Sequence, residues 1–190
     1  MNRFIALVGM CGSGKSAIAD ALAKKGYYFF RFGQITLDIV KDKGLEPTEE
    51  NEKKIREEVR KEHGMGAYAI LNLPKIDALL KKGNAVGDGL YSWSEYKILK
   101  EKYGGQLIVI AVYAPPKMRY ARLAKRKLVA NDKDLRSRPA SEEQSRSRDF
   151  AEIENIEKGG PIAMADYTLI NTGTVPELLK QLDKVLKAIR

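Results

Sequence analysis

Phe4-Ile5-Ala6-Leu7-Val8-Gly9-Met10-Cys11-Gly12-Ser13-Gly14-Lys15-Ser16 decides how this chain is read. Arg3 to Val8 is an apolar run that suits a buried parallel strand, and it leads directly into Gly9. Gly9 to Ser16 fits the pattern Gly-x-x-x-x-Gly-Lys-Ser. Ser16 to Lys25 then reads as a helix with Ile18, Ala19, Leu22 and Ala23 on one face, stopped by Gly26. Strand, glycine loop and helix in this order make a cradle for phosphate. The glycines let the backbone curl so that successive N–H groups point inward, and the helix N-terminus adds partial positive charge. By residue frequencies the four fixed positions would coincide by chance in about one per cent of chains this long, so the motif is more than a glycine-rich turn.

The chemistry expected of each loop residue follows from its place. Gly9, Cys11, Gly12, Ser13 and Gly14 surround the phosphate chain of a nucleotide, Lys15 reaches its β and γ phosphates, and the Ser16 hydroxyl goes to magnesium. ATP and Mg2+ are the expected cofactors. Cys11 occupies a variable position of the motif with no histidine near it, and reads as a loop spacer rather than a nucleophile.

Outward from the loop, strand and helix signals alternate. Tyr27 to Phe32 is a second strand, Gly33 to Lys43 a helical segment, and Thr48 caps a charged helix reaching roughly Glu62. Ala67 to Lys82 is an apolar helical stretch that Pro74 is expected to break or kink. Asn84 to Asp88 is a third strand, Ser92 and Glu95 form a capping box, and Gln106 to Ala114 is the strongest strand signal. Pro115 and Pro116 suit the first turn of a basic helix, Lys117 to Lys127, and Asn131 to Pro139 reads as loop. Ser141 with Gln144 caps a helix ending before Gly159-Gly160-Pro161, Tyr167 to Asn171 is the last strand, and Thr174 to Glu177 caps the C-terminal helix. This order predicts an α/β fold of the P-loop NTPase type, a mostly parallel sheet with helices on both faces. The 190 residues suit one domain, 1–190, around a single core.

Composition narrows the function classes. With 44% apolar and 31% charged residues the chain is ordinary globular material. One cysteine excludes an internal disulfide, and one histidine, His63, leaves no zinc cluster, so a reducing, cytoplasmic location is expected. The apolar run before Gly9 is too short for a spanning helix and lacks a signal-peptide pattern, so no membrane role is expected. The net charge of +9 is localised: Lys117 to Arg148 holds eleven Lys or Arg against four Asp or Glu, a surplus of seven. That surplus reads either as a solvated charged face or as a clamp on phosphate.

Beyond the loop, several segments resemble the nucleoside monophosphate kinase and dephospho-coenzyme A kinase group, especially the archaeal adenylate-kinase-like (UPF0200-type) proteins, over nearly the whole chain. Asp88-Gly89 stands where such kinases end their third strand with an Asp-Gly pair, and the resemblance implies that Asp88 holds magnesium through water. Arg122-Leu123-Ala124-Lys125-Arg126 looks like the pair of arginines that opens a mobile lid, Arg122 stacking on adenine and Arg126 meeting transferring phosphate. Arg136, Arg138, Arg146 and Arg148 follow in the implied lid, about 127–147, and its return helix. Ala165-Asp166-Tyr167 through Asn171-Thr172-Gly173 resembles the last strand and an adenine-contacting loop, with Gly173 against the base. Residues 33–82 then correspond to acceptor-binding helices.

The acceptor is read from where the chain departs from that pattern. No arginine follows Asp88-Gly89, and Leu37 stands where an acceptor-binding arginine is expected. Arg31, Gly33 and Arg60 are the remaining substrate-binding candidates, Arg60 first; its plain alternative is an exposed helix charge. A hydroxyl acceptor needs a general base, and the position after the second strand reads Arg31-Phe32-Gly33-Gln34 with no acid. A phosphate acceptor is already ionised. The expected activity is therefore ATP-dependent phosphoryl transfer to a small phosphorylated acceptor, an AMP-like nucleoside monophosphate, with Lys15, Asp88, Arg126, Arg136 and Arg138 as catalytic residues. Hydroxyl phosphorylation as in dephospho-coenzyme A kinase, and a nucleotide switch or nucleic-acid-associated ATPase, are the alternatives. A nucleic-acid partner is the less favoured use of the basic segment. Trp93 and the Tyr27 to Phe32 aromatics read as core.

Overall fold

The computed structural model describes residues 1–127 and 139–189, so Arg136 and Arg138 lie outside the described residues, as does the middle of the expected lid. β1 (Phe4–Val8) is the central strand of a five-stranded sheet in the order β2-β3-β1-β4-β5, where β2 is Tyr28–Arg31, β3 Ala85–Asp88, β4 Leu107–Tyr113 and β5 Tyr167–Ile170. Every strand pair is parallel.

The apolar run of β1 needs cover on both sides because its side chains alternate between faces. Phe4, Ala6 and Val8 enter one core with residues of α4 (Ala67–Lys82) and α5 (Trp93–Tyr103); Ile5 and Leu7 enter another with α1 (Lys15–Lys24) and α9 (Val175–Ala188). Helices therefore lie on both faces, as expected. A third apolar cluster, Val40, Ile55, Val59, Ala67 and Tyr68, ties α2 (Gln34–Asp42) and α3 (Glu49–His63) to α4. The remaining helices are α6 (Pro116–Ala124), α7 (Glu142–Ile156) and the short α8 (Gly159–Ala163).

The helix starts are where the side-chain pattern puts them. Thr48 caps α3 through the Asn51 amide, and Ser92 with Glu95, Ser141 with Gln144 and Thr174 with Glu177 all form capping boxes. Phe30 and Phe32 are core residues, and Trp93 stacks on Tyr96 with ring centres 5.0 Å apart, as expected, whereas Tyr28 at the sheet edge is exposed. Two further features differ from the sequence reading. Pro74 does not end α4, which runs on to Lys82; Pro74 and Ile70, one turn before it, are both exposed. Gly159-Gly160-Pro161 does not simply stop a helix but opens α8, with Gly160 so close to Trp93 that an added Cβ would lie 2.8 Å from the indole.

Parallel register sets what meets at the sheet's C-terminal edge. Leu7 pairs with Asp88, Asp88 with Arg31 and Val8 with Ala111, so the glycine loop, Asp88-Gly89 and the Arg31-to-Gly33 turn leave the sheet at one level. The chain visits both sides of β1, and the crevice where strand order diverges is the usual ligand position in such sheets.

Phe4 carries this arrangement, meeting Phe30, Phe32 and Tyr103 at ring-centre distances of 5.9, 6.5 and 5.5 Å. Phe4→Ala should lower the unfolding free energy by about 3–5 kcal/mol, read from chemical denaturation with an unchanged denaturant slope.

Candidate functional site

The glycine loop is enclosed on two sides. At Gly12, φ is 78° and a Cβ would lie 2.9 Å from the Arg119 carbonyl oxygen; at Gly14, φ is 107° and a Cβ would collide with the Asn171 side-chain amide. Neither position accepts another residue without moving backbone. The enclosing groups are also tethers. Arg119 donates from Nη1 to the Cys11 carbonyl at 3.1 Å, and Asn171 donates from Nδ2 to the Ser13 carbonyl at 2.7 Å. Arg119 is 4% exposed; its guanidinium meets both carboxylate oxygens of Asp149, at 3.1 and 2.6 Å, and also reaches the Ala114 carbonyl. Tyr120 Oη donates to the same carboxylate at 2.9 Å.

Lys15 stands at the first residue of α1 and donates to the carbonyls of Gly9 at 2.7 Å and Met10 at 3.1 Å. Burial, and next the charge of Lys158, lower its ammonium to about 8, against partial support from Asp88, Cys11 and Glu152. Asp88 faces the loop at the end of β3; its Oδ1 is buried and has no hydrogen-bond partner among the described residues. An unpartnered carboxylate oxygen at the strand end that pairs with Leu7, just before the glycine loop, fits a hydrated divalent cation. Among the described residues there is no cluster of His, Cys, Asp and Glu dense enough to hold a metal alone, so Ser16, Asp88 through water, and phosphate oxygens are the available ligand set.

On the β2 side, Gly33 starts α2 with the Tyr91 hydroxyl 3.4 Å from where a Cβ would sit. Arg60 is not an exposed helix charge: its guanidinium lies 5.2 Å from the Tyr68 ring centre, and its Nε is buried without a hydrogen-bond partner among the described residues. Tyr68 shares a 2.6 Å hydrogen bond with the Thr36 hydroxyl. Glu95 accepts from the Tyr91 and Ser92 amides at 2.9 and 3.2 Å, and burial raises its carboxyl to about 7 despite those bonds and the charges of Arg60 and Lys158. Leu37, which replaces an expected arginine, is buried. Arg31 ends β2 opposite Asp88.

On the β5 side, Arg122 Nη2 donates to the Asn171 carbonyl at 2.9 Å, which joins α6 to the loop carrying Gly173, and its buried Nη1 lacks a partner among the described residues. Arg126 is half-buried just past α6. The structure thus brings Lys15, Ser16, Asp88, Arg31, Gly33 and Arg60 toward the edge left by β1 and β3, and Arg122 and Gly173 toward that left by β5. Sequence reasoning assigns no site role to Arg119, Asn171, Tyr91, Glu95, Glu152 and Lys158. Glu95 is named there only as a capping-box residue, Arg119 only within the basic segment and Asn171 only within the last strand and loop; Arg119 and Asn171 owe their places to contacts far along the chain, and Lys158 to the turn that brings it onto Glu152.

The lowered Lys15 value has a sign that can be tested. With 8 in the folded protein and 10.5 unfolded, the unfolded chain holds the extra proton between those values, so charged Lys15 costs folding free energy at neutral pH and that cost disappears as pH rises through the window. Lys15→Met should raise the thermal midpoint at pH 7, and the gain should shrink above pH 8 and vanish beyond about 10.5 in unfolding scans across pH.

Comparison with known proteins follows this geometry. Residues 5–156 match the AAA domain model designated AAA_18. A UPF0200 protein of Thermococcus kodakarensis is 34% identical over 187 residues, covering 97% of this chain and 97% of the relative. Among solved structures, a shikimate kinase from Bacteroides thetaiotaomicron superimposes with a TM-score of 0.60 at 13% identity, covering 98% of this chain and 99% of the other. A gluconokinase from Sinorhizobium meliloti does so with a TM-score of 0.58 at 15% identity, covering 99% and 95%. At those identities the likeness concerns the fold, which is that of the P-loop kinases. No helix among the described residues is long and apolar enough to cross a membrane. By its full-length relatives and its family match, the chain belongs to the UPF0200 proteins within the AAA domain family.

Proposed function

We propose that this chain is an ATP-dependent phosphotransferase acting on a small phosphorylated acceptor, a nucleoside monophosphate with AMP first. The observation that carries the reading is Lys15 under the charge of Asp88, whose buried Oδ1 has no partner among the described residues; the inward guanidinium of Arg60, whose charge reaches Glu95 as that of Lys158 does, supports it. In this reading the donor's phosphates lie on the amides of Gly9 to Ser16, and Lys15 leaves the Gly9 and Met10 carbonyls to neutralise the β and γ oxygens. Ser16 and, through water, Asp88 would hold magnesium, which would supply positive charge against the phosphate oxygens. Arg122 and Gly173 flank the donor base. Arg31, Gly33 and Arg60 hold the acceptor, whose ionised oxygen attacks the γ phosphorus in line while the bond to the leaving diphosphate oxygen breaks; no base is needed. Arg126 with Arg136 and Arg138 then covers the transferring group from a lid at 127–147 on a single domain spanning the chain.

One observation favours a second acceptor. The unpartnered Asp88 oxygen could also take a proton from a hydroxyl, and two fold neighbours are kinases named for shikimate and gluconate. A nucleic-acid surface is less supported, because the basic segment is partly turned inward: Arg119 is buried on Asp149, Arg122 bonds to Asn171 and Arg148 to Glu152.

Lys15→Ala should leave a folded protein with at least about a hundredfold less phosphoryl transfer, since it removes the main side-chain charge on the β and γ phosphates. A screen of monophosphates and hydroxyl acceptors with magnesium ATP reads this directly, and full activity would sink the proposal. Asp88→Asn should cut turnover by about tenfold or more while nucleotide affinity, measured by calorimetry, changes little; transfer at the parental rate with unchanged magnesium dependence would remove Asp88 from the site.

A further inference from the structure

Lys158 belongs to no motif, yet it is 2% exposed and its ammonium points at the site. α7 ends at Ile156, and Glu157 takes the left-handed conformation with φ 52°, the only non-glycine with positive φ among the described residues. Glycine is usual at such a helix end, and a side chain there is unfavourable. The turn sends Lys158 back along α7: its amide donates to the Glu152 carbonyl at 3.2 Å and its Nζ to Glu152 Oε2 at 2.5 Å.

Its surroundings bracket the crevice. The ammonium lies 4.8 Å from the centre of the Tyr91 ring, and the Tyr91 hydroxyl packs within 3.4 Å of where Cβ atoms at Gly33 and Gly89 would be, at the head of α2 and just past Asp88. On the other side Lys158 is the largest charge acting on Lys15. Glu152 also accepts from Arg148 Nε at 3.0 Å through its second oxygen. One carboxylate thus serves two cations. Burial would raise that carboxyl, but Lys158 and Arg148 override it and hold it at about 2, so it stays ionised at neutral pH. Lys15 and Lys158 are matched by Glu152 and Asp88, and the half-exposed Arg148 adds a further positive charge that an anion at this edge would neutralise.

We propose that Lys158 is a catalytic residue that grips the γ-phosphate of the donor from the acceptor side, and that Glu152 is the positioning residue that aims it. This rests on the phosphotransferase reading. It assigns to α7 and its terminal turn a ligand for the phosphoryl group in transfer, distinct from the arginines of the expected lid.

The test compares two nucleotides on the full chain by calorimetry: magnesium ADP, and magnesium with the non-hydrolysable β,γ-imido analogue of ATP. The wild type should prefer the triphosphate analogue. Lys158→Met should reduce that preference about tenfold or more while ADP affinity stays within about threefold, because one charge-assisted hydrogen bond to the γ-phosphate is lost. Lys158→Arg should retain part of the preference, and Glu152→Gln should lose part of it. If Lys158→Met fails to fold, the double variant Glu152→Gln/Lys158→Met removes both charges and is read the same way. An unchanged preference in the folded variant, or an equal loss for both nucleotides, overturns the assignment and leaves the pair a helix-end tether. A wild type that binds neither nucleotide overturns the phosphotransferase reading and this inference with it. Loss of both nucleotides in Lys15→Ala alongside an unchanged preference in Lys158→Met overturns the inference alone.

Discussion

The loop from Gly9 to Ser16 keeps its shape because distant backbone and side chains close in on it. The Arg119 carbonyl presses on Gly12 and the Asn171 amide on Gly14, and each of these residues also bonds a loop carbonyl. A glycine loop alone is soft; here a guanidinium from α6 and an amide from the end of β5 hold the Cys11 and Ser13 carbonyls in place. Arg119 is held in turn by Asp149 of α7. The helices on either side of residues 128–138 are thus anchored to the loop by one buried ion pair, and removing either partner would strand a buried charge.

That anchoring explains how a site with so much uncompensated charge can persist. Lys15 rests on two carbonyls of its own loop, and its ammonium is held well below the usual lysine value by burial and by Lys158. Arg122 Nη1, Arg60 Nε and Asp88 Oδ1 are each buried without a partner among the described residues. Such groups are costly when left unpaired. The large two-sided core around β1 can carry the cost.

The architecture was largely legible because it is written in local patterns. An apolar strand entering a glycine loop, helices announced by Ser or Thr with Glu or Gln three residues on, and the regular alternation of the two kinds of element all act within a few residues. Pro74 shows the limit of local reading, since α4 continues through it on an exposed face of the helix. Arg60 shows the same limit for the site. Its sequence neighbourhood allowed either a solvated charge or an inward one, and only the packing of Tyr68 against it decides.

By itself the sequence determined the phosphate loop, the parallel α/β class and the concentration of positive charge between Lys117 and Arg148, because these depend on residue type and short-range spacing. Which of those charges face inward was decided by the tertiary structure alone. Arg119 and Arg122 are three residues apart on one helix, yet one is sealed against Asp149 and the other reaches Asn171. Lys158 stands ten residues beyond the basic segment and still joins the charge cluster, because one left-handed residue turns it back onto Glu152. A side chain's charge is a property of its type, but its burial and partners are set by contacts between elements far apart in the chain, and those exist only once the sheet has brought the elements to a common edge.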